Sequence, residues 1–305
     1  ETLALAETWR PDAIVHETGE FSALVAGDAL RVPTIRVGVA LVSPFEDWWL
    51  RVAAEALDEL RADVGAAADP GARRGASTPL LTLAPPSLDR GHGEPPALVR
   101  RFRDDRVARA RAAAVRIPSA DHDDMPFVPI SFGTAVPTNH FPDVYRAALD
   151  AVADLPVRVL MTTGVEVDPA ELGPLPANVR VERWAPIGAL LAGATAFVTH
   201  GGAGTTVAAL AAGVPMVVLP MAADQPFNAR IVADAGAGVA VEGGPAAGPP
   251  RLGEAVREVL DDPRYASAAR ALADEIGGLP PITDAVEAIE TYAGVATGAT
   301  PAAIG

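Results

Sequence analysis

The chain contains no cysteine and no lysine. The first absence rules out disulfides and thiolate metal sites and fits a reducing compartment. The second makes all 24 basic residues arginine, a bias that reads as high-GC coding rather than as function. Positive charge is short overall: 39 Asp and Glu outnumber the 24 arginines, for a net charge of −15. So acidic a chain has no basic stripe to neutralise phosphates, which argues against a nucleic-acid partner. Aromatic residues are scarce, at 5%. Long apolar runs are lacking too. The most apolar stretch, Leu190–Ala223, is interrupted by His200, Pro215, Pro220 and several glycines, whereas a membrane span needs ~20 unbroken apolar residues. No secretory leader is read at Glu1–Arg10, which is polar and helix-like. The expected location is the cytoplasm.

What is present is enough for two cores. Half of the 305 residues are hydrophobic, and at ~150 residues per domain two domains are expected. In the first, Ala13–Val15, Thr34–Leu41 and Leu80–Leu83 read as strands, and Phe21–Leu30 has helical spacing. Trp48–Val64 reads as an amphipathic helix with Trp48, Val52, Leu57 and Leu60 toward one face. Asp69–Ser77 is a Gly/Ala/Arg loop. Val99–Val115 carries arginines on a helical pattern, and Ile117–Pro126 is the expected linker. The second half alternates more plainly. Apolar strands are expected at Val128–Phe132, Val157–Thr162, Val179–Trp184, Ala196–His200, Met216–Leu219 and Gly238–Val241, with helices between them. That pattern predicts an α/β fold with a parallel sheet covered on both faces. The domain bounds are read as 1–120 and 128–278, with a last helix at 282–293 packing back on the first domain.

The chemistry concentrates at Thr195–Gly213. A strand ends at His200, then Gly201-Gly202-Ala203-Gly204 runs without a side chain larger than methyl. Thr205-Thr206 opens a helix that ends at Gly213. Strand, glycine loop and helix start form an anion site: backbone N–H groups approach closely and the helix terminus adds about half a positive charge. The plainer alternative is a tight turn that starts a buried helix. The spacing G-G-x-G does not match the dinucleotide fingerprint G-x-G-x-x-G, and the lysine of a P-loop is missing.

Further on come Gly213-Val214-Pro215, then Asp224-Gln225-Pro226-Phe227-Asn228-Ala229, then Gly236-Ala237-Gly238. Upstream stand Arg183-Trp184-Ala185-Pro186 and Ser131-Phe132-Gly133-Thr134. With His200–Thr206 this ordered run resembles the donor-binding signature of family 1 glycosyltransferases, above all the bacterial enzymes that glycosylate natural products. The resemblance covers nearly all of residues 128–292 and, more weakly, residues 11–115. It implies a GT-B fold, two Rossmann-like domains with parallel sheets facing across a cleft. It also implies transfer of a sugar, a deoxysugar by preference, from a nucleoside diphosphate to a small hydrophobic acceptor such as a polyketide or macrolide, with inversion and without a metal or other cofactor. A dTDP-sugar is the favoured donor, with a UDP-sugar as the alternative. A homodimer is admitted.

On that resemblance His200, Gly202, Ala203, Gly204, Thr205 and Thr206 cradle the diphosphate, and Thr134 adds a hydroxyl. Trp184 stacks on the base, or is core. Asp224 and Gln225 meet the sugar hydroxyls, although Asp224 also suits a helix N-cap. Ile187 stands where the family often has glutamine, which leaves the nucleotide open. Phe21, Phe45, Trp48 and Trp49 are the candidate acceptor surface, with core as their alternative. The family's general base is a histidine in the first strand–helix loop, oriented by an acidic residue. Pro11–Glu17 resembles a later strand, so the chain is expected to begin partway through its first domain. Glu17 is then the orienter of an absent base, or the base itself, and His16 points to the other side. The acidic cluster Asp121, Asp123, Asp124 reads as solvated loop rather than metal site. Rival readings are a sugar-nucleotide epimerase or a cell-wall glycosyltransferase, a catalytically silent nucleotide-sugar-binding partner, and a dinucleotide-dependent oxidoreductase.

Overall fold

The computed structural model describes residues 1–105, 125–133 and 141–294. The chain divides into two compact units: Glu1–Asp104 joined by the segment from Leu279 onward, and Asp105–Gly278.

The first unit holds a four-stranded parallel sheet in the order β1 (Ile14–Glu17), β2 (Thr34–Val37), β3 (Leu80–Thr82), β4 (Val99–Arg101). β4 corrects the helix expected from Val99. Arg101, which disguises it, pairs with the carboxylate of buried Asp89 and donates to the Ala84 carbonyl at 2.8 Å. An edge strand tolerates such charges where the middle of a sheet does not. The rest of that expected helix, and the linker's acidic cluster Asp121–Asp124, lie outside the described residues. The expected loop at Asp69–Ser77 instead contains a 3-10 turn, Pro70–Ala72, and a short helix, Arg73–Ser77, tied by Asp69, whose carboxylate accepts from the Arg74 and Gly75 amides.

The helix Ser43–Asp63 departs most from its apolar pattern. Its buried stripe is Ser43, Glu46, Leu50, Ala54, Leu57 and Arg61, at the helical period but with charged members. Arg61 is buried among Asp28 at 2.7 Å, Asp58 at 3.1 Å and Asp69 at 3.8 Å. Trp48, Val52 and Leu60, expected inside, are 43%, 60% and 48% exposed. The last helix, Ala285–Ala293, lays Ala285, Ala288, Ile289 and Tyr292 on Ile35, Leu81 and Phe102. The chain reaches it through Ile282, whose amide donates to the Arg103 carbonyl at 2.9 Å.

The second unit holds six parallel strands: β5 (Phe127–Ser131), β6 (Arg158–Thr162), β7 (Val179–Glu182), β8 (Phe197–Thr199), β9 (Met216–Val218) and β10 (Gly238–Ala240). Their order is β10-β9-β8-β5-β6-β7. Counted from β5, this is the doubly wound order in which the chain goes first to one side and then returns to the other. Helices cover both faces, so the strands are buried and read as apolar runs. The core gathers Val128, Ile130, Val159, Met161, Val198 and Val217 from the strands, with Tyr145, Leu149, Val152, Leu252 and Val256 from the helices. Among the described residues no helix is long and apolar enough to cross a membrane.

Candidate functional site

In a doubly wound sheet the two strands at which the winding reverses leave a crevice beyond their carboxyl ends. Here they are β5 and β8, paired through Ile130–Val198 and Ser131–Thr199. The segments that leave them are Phe132-Gly133 and His200-Gly201-Gly202. The candidate site is therefore the point where the topology itself leaves room.

His200 is buried, at 8% exposure. Its ring lies between two glycines. A Cβ built on Gly133 would stand 2.8 Å from Cε1, and one on Gly202 would stand 2.6 Å from Nε2. Any larger residue at either position would displace the imidazole. Burial pushes the His200 pKa below 6.5, opposed by the nearby Asp224 charge and by a hydrogen bond with the Ser131 backbone. The ring is thus neutral near pH 7, one donor and one acceptor. Gly201 turns the chain at φ +88, and a Cβ there would fall 2.6 Å from Val218.

Gly202 is the N-cap of the helix Ala203–Ala212. The first-turn amides of Ala203, Gly204 and Thr205 have no carbonyl four residues back within the helix. Around Gly204 the surface is open, for a Cβ there would meet nothing within 4 Å. Thr205 is half-buried on the same turn. Thr206 is different. It is fully buried, its hydroxyl donates to the Gly202 carbonyl at 3.0 Å, and its amide donates there too at 2.9 Å. It locks the turn, so neither its hydroxyl nor its amide is left for the diphosphate, which corrects its expected place in the cradle. Gly213 closes the helix in the left-handed conformation, at φ +69.

Asp224 and Gln225 begin the next helix, Gln225–Asp234. Asp224 sits at the N-cap position, but its carboxylate caps no backbone amide. One oxygen, Oδ2, accepts from Asn228 at 2.7 Å. Gln225 is buried, and its Oε1 accepts from the Met221 and Ala222 amides at 2.9 and 3.0 Å. Its carbonyl oxygen is therefore committed to the loop, so that only its amide nitrogen is left for the sugar hydroxyls expected of it. Trp184 is 60% exposed, which removes core as its explanation. Thr134 lies outside the described residues.

In the first unit Glu17 ends β1 with an exposed side chain, while His16 is buried, as strand alternation requires. Phe21 packs on Leu24, Leu50, Ala54 and Ala72, which makes it part of the core margin rather than a free surface. Phe45, Trp48 and Trp49 form one aromatic cluster. Phe45 stacks on Trp48 with ring centroids 5.2 Å apart, and Trp49 meets both rings edge-on. Glu46, on the buried side of the same helix, was not singled out by its sequence context. It is 1% exposed, its Oε1 accepts from the Ala40 amide at 2.7 Å, and burial raises its pKa above 4.5. Nor did sequence reading give roles to Gly133 and Asn228, although both stand inside the motifs quoted above. Among the described residues no group of three or more His, Asp or Glu side chains is placed to hold a metal ion.

Residues 146–291 match the family model described as erythromycin biosynthesis protein CIII-like, C-terminal domain. Over 293 residues, 96% of this chain and 71% of the relative, the sequence is 31% identical to elloramycin glycosyltransferase ElmGT of Streptomyces olivaceus. The chain belongs to the natural-product glycosyltransferase family. A second relative, 4'-demethylrebeccamycin synthase of Lentzea aerocolonigenes, is 41% identical over 54% of this chain and 38% of its own length. The chain thus spans only part of the curated glycosyltransferases it matches. The crystal structure of glycosyltransferase SsfS6 of Streptomyces sp. SF2575, complexed with thymidine diphosphate, superposes with a TM-score of 0.69 at 27% identity, over 95% of this chain and 71% of that one. The two parallel α/β sheets are those of the GT-B fold.

Proposed function

We propose that the second unit binds a nucleoside diphosphate sugar at the crevice of β5 and β8, and that the protein transfers the sugar with inversion to a small hydrophobic acceptor held by the first unit. One observation carries this reading: an open glycine loop and helix N-terminus stand at the switch point of a doubly wound sheet, with a neutral histidine clamped beside them.

Departure of the nucleoside diphosphate develops negative charge on phosphate oxygens, and donors already in place lower that barrier without reorganising. The amides of Gly202, Ala203, Gly204 and Thr205, the Thr205 hydroxyl and the His200 imidazole are the donors. The exposed Trp184 ring offers a face for the base. Asp224 accepts from sugar hydroxyls through its oxygen not held by Asn228. A dTDP-sugar is preferred as donor because the related SsfS6 was crystallised with thymidine diphosphate. In the first unit the Phe45–Trp48–Trp49 cluster suits an apolar acceptor, and Glu17 is the carboxylate assigned to orient the base or to act as one. A silent nucleotide-sugar-binding partner is the second reading, favoured by the burial of His16, which removes that imidazole as a base.

The test is calorimetric titration of the chain with dTDP and UDP, repeated with His200→Ala, followed by product analysis with a dTDP-sugar and an aromatic polyketide acceptor. Binding of one nucleotide that His200→Ala weakens supports the donor site. Absence of binding at millimolar nucleotide overturns it. Binding without turnover favours the silent partner. An axial-to-axial product from an axial donor would overturn inversion.

A further inference from the structure

Asn228 is fully buried on the first turn of the helix Gln225–Asp234, yet its amide nitrogen leaves the helix to make two bonds. Nδ2 donates to the Gly201 carbonyl at 2.8 Å and to Asp224 Oδ2 at 2.7 Å. Both partners are pure acceptors, so the amide orientation is fixed: turning it over would press Oδ1 against a carbonyl and a carboxylate. The two amide hydrogens reach the two ends of the candidate site. The Gly201 carbonyl belongs to the same planar trans peptide as the Gly202 N–H, which points the opposite way. Fixing the carbonyl therefore aims the Gly202 amide of the phosphate loop. The bond to Oδ2 holds the Asp224 carboxylate in one rotamer and leaves Oδ1 for a ligand.

We infer that Asn228 is a positioning residue that couples the diphosphate cradle to the sugar-recognising carboxylate, so that Asp224 contributes to binding the glycosyl part of a nucleoside diphosphate sugar only while Asn228 holds it. The inference rests on the donor-site reading above. Its ligand class is a nucleoside diphosphate carrying a hexose with free hydroxyls, and its distinguishing effect is on the sugar increment, the ratio of affinity for the nucleotide sugar to affinity for the bare diphosphate. Plain structural support would lower both affinities together.

The experiment is a double-mutant cycle on the whole chain: wild type, Asp224→Ala, Asn228→Ala and the double variant, each titrated with dTDP and with dTDP-glucose. Asn228→Asp, nearly isosteric, repeats the cycle where the alanine variant fails to fold, since it loses both donations and sets a second carboxylate beside Asp224. The expected result is that Asp224→Ala cuts the sugar increment roughly tenfold in the wild-type background, the size of a lost bond to a charged group. With Asn228 replaced, it should cut the increment less than about threefold. Equal effects in both backgrounds, with dTDP still bound, overturn the coupling and leave the donor site intact. Failure of the wild-type chain to bind either nucleotide overturns the donor-site reading and this inference with it.

Discussion

The Cα of Gly133, in the loop after β5, packs against the imidazole of His200, which follows β8: a methyl group added there would come within 2.8 Å of the ring. Gly133 also has φ +77. Gly133→Ala is accordingly expected to cost about 1–2 kcal/mol in backbone strain and to push the ring out of its slot. Thermal melting should show the first effect. Calorimetry should show the second as weaker dTDP binding. A variant that loses stability but binds dTDP as before would separate the ring from the nucleotide site.

Trp184 stands out from the second unit at 60% exposure, so Trp184→Ala should leave stability within about 0.5 kcal/mol. Base stacking on an aromatic face contributes ~1–3 kcal/mol, so nucleotide affinity should fall about tenfold. Unchanged affinity would take Trp184 out of the donor site.

Arg61 is 1% exposed and faces three carboxylates. Its removal takes the cation from buried Asp69, which keeps only backbone amides, and leaves Asp28 the longer pair with Arg74 at 3.3 Å. Arg61→Ala is expected to destabilise by about 3–5 kcal/mol, a loss measurable by urea unfolding of the first unit. A loss below about 1 kcal/mol would mean that water replaces the guanidinium.

Two buried groups in the first unit should give opposite pH dependences. The His16 Nδ1 donates to the Glu17 carbonyl at 2.8 Å, while Nε2 is buried without a partner. Burial lowers its pKa below 6.5, so the unfolded chain takes up a proton first as pH falls, and stability declines below about pH 6.5. Glu46 has its pKa raised above 4.5 by burial, so the stability it adds is present below about pH 4.5 and declines as pH rises through its folded pKa. Melting temperatures from pH 4 to 8 check both. His16→Gln should flatten the acidic side, and Glu46→Gln should raise the melting temperature at pH 8 more than at pH 5. Parallel curves for a variant and the wild type would remove that residue from the pH response.

The second sheet was legible because both its faces are covered, so Val128, Val159, Val198 and Val217 lie in runs that read as buried strands whatever their register. The glycine loop was legible because a ligand-bearing turn needs small residues at positions the chain order exposes. The first unit resisted for a physical reason. Its helix Ser43–Asp63 buries Glu46 and Arg61 and exposes Trp48 and Val52, so hydrophobicity points to the wrong face. Arg101 hides an edge strand because Asp89, at the end of the 3-10 turn Pro86–Asp89 before it, neutralises the charge. Thr206, Gln225 and Asn228 sit inside a recognisable motif, yet their side-chain directions depend on the Gly202 carbonyl, the Met221 amide and the Gly201 carbonyl. No spacing rule specifies those.

The neutral state of His200 bears on how firmly an anion would be held as salt is added. A clamp of formal cations gathers ions around itself and loses grip steeply as salt screens it. A loop that offers amide hydrogens, a helix terminus and an uncharged imidazole attracts over a few ångströms only, below the screening length of ordinary buffers. Diphosphate affinity at this loop should therefore not fall steeply between dilute and concentrated salt, since what salt screens there is the repulsion between the anion and an acidic chain of net charge −15.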